Sequence, residues 1–257
     1  MEGIKVNIKS RKNSLVRLMH IMPVIFLVVF ISAVSVSCNW TIGLVRGSGE
    51  VRTEERDVSD FHKVHLSGVG DLIITQGEKE ALLIETDDNI IPLIETEVSA
   101  DRLTIGFRRG YNFVPTSDIK FYLTVKELDE ILLSGAGSIV CHDFDAEELE
   151  IEIGGAGDID FSLNADVVRV NSSGAGDITM SGRVDRQEID LSGAGKYDAE
   201  NLESRECDIT VSGAGSAAVN VSQELDVDIS GVGGVEYQGS PRVQQNITGL
   251  GRIRSVD

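Results

Sequence analysis

The sequence predicts an all-β protein, a parallel β-helix (solenoid) whose coils of about 18–20 residues are marked by Gly-x-Gly bends. Three observations predict it. The first is a repeated mark: Gly-x-Gly triplets start at Gly68, Gly135, Gly155, Gly174, Gly193, Gly213, Gly231 and Gly249, and from Gly135 the spacings are 20, 19, 19, 20, 18 and 18. Self-similarity at such a period signals a solenoid. The second is strict alternation on both sides of each mark, as in "LEIEI" and "LDVDI". Alternation with β-branched residues reads as half-buried strand, whereas a helix would space its apolar residues by three and four and would not tolerate two glycines per repeat. The third is composition: 41% hydrophobic but only 5% aromatic, with 27 glycines, so the core must be aliphatic.

The elements follow in chain order. Met1–Arg17 is polar and basic, and Leu18–Ser37 is nearly all apolar up to Cys38. Residues 1–37 read as an export signal or anchor. Ser35-Val36-Ser37-Cys38 is similar to the bacterial lipobox, which makes Cys38 the candidate lipid-attachment residue. The box usually has Leu where Ser35 stands, and His20 and Pro23 interrupt the apolar run. An uncleaved anchor and ordinary cleavage therefore stand as alternatives, since 20 residues can just span a bilayer. All three readings export residues 39–257. Residues 38–46 are expected to be a short linker, and 47–257 the β-helical domain.

Within that domain the inward columns can be read directly. Four residues before each mark stand Val64, Ile131, Ile151, Val170, Ile189, Ile209, Val227 and Gln245; four after stand Leu72, Ile139, Ile159, Ile178, Tyr197, Ala217, Val235 and Ile253. Each repeat is then two short strands around the bend, plus a corner carrying Phe144, Leu163, Leu202 or Val221 that absorbs the length differences. Coils stacked about 4.8 Å apart would give seven regular coils a length of roughly 30–35 Å. Glycine is expected at the bend because a side chain there would strike the neighbouring coil or the interior. The residue between the glycines is always apolar, from Val69 to Leu250, and is expected to cap the interior. The hydroxyl column Ser67, Ser134, Ser173, Ser192, Ser212, Ser230 and Thr248 is expected to hydrogen-bond coil to coil. Residues 72–131 lack the mark and are expected to be irregular coils or a small antiparallel insert; 132–257 are the regular coils.

Charge narrows the function. The whole chain carries −19; without residues 1–37 it keeps 18 basic and 41 acidic residues, a net of −23. Such a surface repels phosphate backbones and anionic lipid, which argues against nucleic acid as a partner. The histidines His20, His62, His65 and His142 are dispersed, with no metal-ligand spacing, and read as surface residues. Cys141 and Cys207 fall in inward columns and read as small core hydrophobes, three coils apart and unsuited to a disulfide. Asp71, Asp158 and Asp177 each follow a Gly pair, which raises the question of a calcium ladder; Lys196 and Arg252 in the same column argue against one. The best enzymatic suggestion is the stack Asp158, Asp177, Lys196, as sugar-cleaving β-helices cluster such groups on one face. A solvated sheet face shows the same alternation, and no catalytic, cofactor or metal residue is expected.

The repeated "SGAGD", the upstream "LSGVGDLIITQG" and "IETDDNIIPLIETEV", and the lead-in "ERDVSDFHKVHLSG" together resemble the bacterial autotransporter adhesin head, or GIN, domain family. The resemblance spans roughly Gly47 to Asp257 and implies an exported β-helical domain with no known catalytic residues. Only "RIRSVD" follows Gly251, so no membrane barrel for self-export is expected. The expected function is non-catalytic binding at the cell envelope, to a glycan or protein surface ligand, with membrane attachment through the N-terminal lipid or anchor. A carbohydrate-active enzyme and a structural protein that self-associates through coil ends are the alternatives.

Overall fold

The alternating segments wind into a parallel β-solenoid of about seven turns. The computed structural model describes residues 44–256; the export segment 1–37, with His20, and the lipid-attachment candidate Cys38 lie outside the described residues. The expected linker ends in strand β1 (Leu44–Arg46), followed by β2 (Val51–Arg56), β3 (Lys63–Leu66), β4 (Asp71–Gln76) and β5 (Ala81–Asp87). A short 3-10 turn (Ile91–Leu93) leads to β6 (Ile94–Ser99), β7 (Arg102–Phe107), β8 (Asn112–Val114) and β9 (Lys120–Val125). The regular part comprises β10 (Glu130–Leu133), β11 (Ala136–Asp145), β12 (Glu148–Ile153), β13 (Ala156–Ser172) and β14 (Ile178–Leu191). It continues through β15 (Ala194–Val211), β16 (Ala214–Ile229), β17 (Val232–Gln238), β18 (Arg242–Ile247) and β19 (Leu250–Ser255).

The expected columns are the core. Ile131 stands in register with Val64 and Ile151, and Ile159 with Ile139 and Ile178. Both columns are buried from Val64 and Leu72 to Val227 and Val235. Parallel pairing buries such aliphatic faces while every second residue stays in water. Tyr197 is the largest fully buried side chain, and its hydroxyl donates to Gln187 Oε1 at 2.7 Å inside the core.

Residues 72–131 hold both kinds of structure. β7 and β9 form a parallel layer against β3 and β4. They lie on the side opposite β10 and β11, so the coil made first in sequence is sandwiched between two made later. β5 then pairs antiparallel with β9 and with β2, and β6 antiparallel with β7. Ala100 and Asp101 have φ of 49° and 65°, the doubly left-handed turn that suits a tight hairpin. These additions, with Ile90, Leu93 and Ile94 buried beneath them, close the N-terminal end of the core.

The bend differs from expectation in one respect. A Cβ at Gly135, Gly155, Gly174 or Gly193 would lie within about 2.1 Å of a carbonyl oxygen in the preceding coil, so the glycines do serve close backbone approach. The residue between them, however, points outward: Val69, Ala136, Ala156, Ala175, Ala194, Val232 and Leu250 are all exposed. Alternation runs unbroken through the bend, so the glycines take the inward positions and their neighbour must face water. The hydroxyl column bonds from coil to coil as expected, onto the backbone. Ser67, Ser173 and Ser192 donate to backbone carbonyls of an adjacent coil, Ile105, Ile153 and Ser172, at 3.1–3.4 Å.

Candidate functional site

The acids after the glycine pairs have a local task. Asp158 Oδ1 accepts the backbone N–H of Asp177 at 2.9 Å, and Asp177 Oδ1 accepts that of Lys196 at 2.9 Å. Asp71 Oδ1 accepts both N–H and hydroxyl of Ser138, at 3.2 and 2.7 Å. Each carboxylate thus replaces a carbonyl where the chain turns out of the ladder, satisfying an amide that would otherwise lack a protein partner. Lys196 Nζ pairs with Asp198 at 2.5 Å, and that hydrogen bond raises its pKa and keeps it charged. The column places Asp158, Asp177 and Lys196 in sequence, yet one oxygen of each aspartate goes to a backbone amide and the Lys196 amine goes to Asp198. General acid–base catalysis needs two groups whose environments separate their pKa values around one bond.

The remaining reactive residue types are buried, paired or isolated. Cys141 and Cys207 are free and buried; burial, then Asp143, pushes Cys141 up to about 12, and burial raises Cys207 as well. His62 Nδ1 meets Asp129 at 2.6 Å and Nε2 lies 3.6 Å from Asp101. His65 Nε2 meets Ser134 Oγ at 2.6 Å, and burial, then the Arg102 charge, lowers its pKa. His142 is exposed. Among the described residues no group of His, Cys, Asp or Glu is placed to hold a metal ion. On the other sheet face Arg169 joins Glu148 and Glu188, and Arg186 joins Glu188, Glu206 and Asp208, a ladder of paired charge.

A groove opens where the Asp158 column runs toward the C-terminal end. Its members beyond Lys196 are Ser216, Gly234 and Arg252, in consecutive register. Two small residues therefore lie between two long cations about three coil spacings apart, roughly 14 Å. The cavity measures about 550 Å³, with Ala218 beside Ser216 on its floor and Arg254 beside Arg252 on its wall. Val232 and Leu250 form an apolar lip, 57% and 81% exposed. Arg254 pairs with Glu236, whereas the side chain of Arg252 has no ion-pair or hydrogen-bond partner among the described residues. The groove escaped sequence reading because it is made by missing side chains. The signal was the change in one column from Asp and Lys to Ser216 and Gly234.

Comparison with known proteins agrees with the solenoid. A family model described as "Putative auto-transporter adhesin, head GIN domain" matches residues 60–241. A structure described as a putative adhesin from Bacteroides fragilis is 25% identical with a TM-score of 0.79, covering 82% of this chain and 100% of that one. One described as a putative lipid binding protein from Parabacteroides distasonis is 26% identical with a TM-score of 0.71, covering 83% of this chain and 100% of that one. A putative adhesin from Parabacteroides merdae, 23% identical with a TM-score of 0.64 over 83% of this chain and 99% of that one, shares the fold. No curated protein matches the chain.

Proposed function

The chain belongs to the auto-transporter adhesin head GIN domain family, and from that premise we propose that it is an exported, non-catalytic module that binds envelope or cell-surface material through the groove between Lys196 and Arg252. The observation that carries the reading is that groove: a concave face about two coils wide, floored by Ser216 and Gly234 and ending at an unpaired guanidinium. A concave site that sets an apolar lip beside charged groups of both signs, Lys196, Glu200, Glu236 and Arg252, suits binding. An extended sugar chain or a protein segment would fit its open form. The non-catalytic half of the reading is supported by the hydrogen bonds that commit Asp158 and Asp177 to backbone amides. The carbohydrate-active alternative relies on those same carboxylates, each of which gives one oxygen to a backbone amide on an exposed face.

Anchoring belongs to the same proposal. The basic start, the apolar stretch 18–37 and Cys38 support export and attachment by lipid or by the segment itself. Among the described residues no helix is long and apolar enough to cross a membrane.

Labelled residues 44–257, probed on an array of bacterial and host glycans and of envelope proteins, test the groove. Retention of at least one class of ligand is expected, with at least tenfold weaker retention by Ser216→Trp, which fills the floor. Retention unchanged by Ser216→Trp would move the site elsewhere, and retention of nothing would refute the binding reading.

A further inference from the structure

The last coil is built unlike the others. β18 pairs with β16 and β19 with β17, and among the described residues no strand pairs with their outer edges. The amides of Leu250 and Val256 donate to Gly231 and Tyr237. Backbone groups alternate sides along a strand, so the N–H and C=O of Gly251, Ile253 and Ser255 face the open side. The core is open there too: Val243 and Ile253 are half-buried, whereas Leu225 and Val235, one coil earlier, are fully buried.

At the other end of this sheet the edge strand β2 carries a safeguard that β19 lacks. β2 pairs with β5 so that Arg56, Glu54 and Arg52 stand opposite Leu82, Ile84 and Thr86, all buried. The core-side face of that edge strand is therefore charged, a pattern that blocks addition of another strand. The corresponding positions of β19 are Gly251, Ile253 and Ser255, with no charge. Charge on the outer face is one-sided as well. Residues 239–256 hold Arg242, Arg252 and Arg254 and no acid, in a chain with 42 acidic and 23 basic residues. The side chains of Arg242 and Arg252 have no ion-pair or hydrogen-bond partner among the described residues.

We propose that the outer edge of β19 is a docking site for an extended acidic segment of a partner polypeptide. The segment joins the sheet through the main-chain groups of Gly251, Ile253 and Ser255 and sets carboxylates against Arg252 and Arg254. Main-chain pairing supplies affinity in such strand addition, and alternate side chains supply selectivity. A second copy of this chain fits less well. Two-fold pairing of β19 about Ile253 would set Arg252 opposite Arg254 of the second copy, twice, and like charges opposite one another destabilise a sheet. Head-to-tail stacking would meet the charged core side of β2. The chain's net negative charge opposes an acidic ligand at long range, but salt screens that beyond about 8 Å, so the arginines decide close contact.

Fluorescence anisotropy on residues 44–257, which form one compact unit of the chain, tests this. The probes are two end-capped nonapeptides, one alternating valine and glutamate, the other valine and lysine. The glutamate peptide is expected to bind at least tenfold tighter than the lysine peptide. Arg252→Glu should abolish that preference. Ser255→Pro removes an N–H on the open side without touching the β17 ladder, and should weaken binding at least tenfold with an unchanged melting temperature. If Ser255→Pro melts early, the glutamate peptide N-methylated at alternate residues replaces it and should bind at least tenfold more weakly, while Ser216→Trp, which fills the groove, should leave peptide binding unchanged. Equal affinities, no binding, or a preference that survives Arg252→Glu would overturn the proposal. So would a dimer in sedimentation that the glutamate peptide fails to disperse, because the edge would then be occupied by a second copy. Failure here leaves the groove reading standing, since Ser216→Trp tests the outer face and Ser255→Pro the edge.

Discussion

Replacing Gly174 by Ala puts the repeat to its most direct test. The new Cβ would lie 2.1 Å from the carbonyl oxygen of Gly155 and 3.1 Å from the carbonyl carbons of Gly154 and Gly155. Relief needs a shift of about an ångström, because contact at that distance is strongly repulsive. The coil is not free to move. Ser173 and Gly174 both donate to Ile153 O, at 2.8 and 2.9 Å, and Ala175 donates at 3.0 Å to the very oxygen that is struck. Losing one or two of these bonds costs about 0.5–1.5 kcal/mol each. Overpacking adds about 1–3 kcal/mol, for a total of about 1.5–6 kcal/mol. Gly154→Ala is the matched control, since a Cβ there meets nothing within 4 Å. It should be neutral, or more stable by about 0.4–1 kcal/mol through the unfolded chain. Urea denaturation of residues 44–257, followed by far-UV circular dichroism, reads both. At about 3 kcal/mol per molar of urea, the upper end of the usual range and apt for a chain this long, Gly174→Ala should lower the midpoint by about 0.5–2 M. Equal midpoints for the two variants would refute the claim that the glycine mark exists to let backbones approach.

Three further outcomes are expected. Asp87 is buried and accepts hydrogen bonds from the amides of Gly49, Thr116 and Ser117 and from the Ser117 hydroxyl. Burial pushes its pKa up, but these bonds outweigh it and the net shift is downward. A lowered folded pKa means stability present above the ordinary carboxylate value of about 4 and lost as pH falls through the folded value. Asp87→Asn should therefore lower the urea midpoint clearly at pH 7 and much less at pH 2–3, and an equal gap at both would contradict this. Cys38→Ser should release the full chain from the detergent phase if Cys38 carries lipid, with the mass of the mature N-terminus as the check; retained Met1 would favour an uncleaved anchor. Incubation with a polysaccharide panel, with and without calcium, should yield no new reducing ends or unsaturated products, and sustained release lost in Asp177→Ala would restore the enzyme reading.

Ile151, Val170, Ile189 and Ile209 were legible as one inward column because alternation is a local signal and each coil repeats it. Burial of Cys141 and Cys207 followed from the same parity. The fates of the aspartates were not legible. Asp158 and Asp177 have the residue types of a catalytic stack, and only the position of the next coil's amide shows that each carboxylate closes a gap in the ladder. Gln187 likewise sits in an aliphatic column, and its partner Tyr197 appears only when two strands face each other.

The sequence by itself determined the strands, the coil length and the place of every glycine bend from Gly135 onward, because these depend on residues within one or two coils. It left open that β3 and β4 lie between β7 with β9 and β10 with β11. Backbone hydrogen bonds join any two strands of compatible pattern, so stacking order has no side-chain signature. The tertiary structure alone decided that β2 is a protected edge and β19 an open one. Edge protection depends on which face of β2 meets Leu82 and Ile84, and that face is chosen by the antiparallel return of β5. The groove is decided the same way, since Ser216 and Gly234 become a floor only when stacking places them between Lys196 and Arg252.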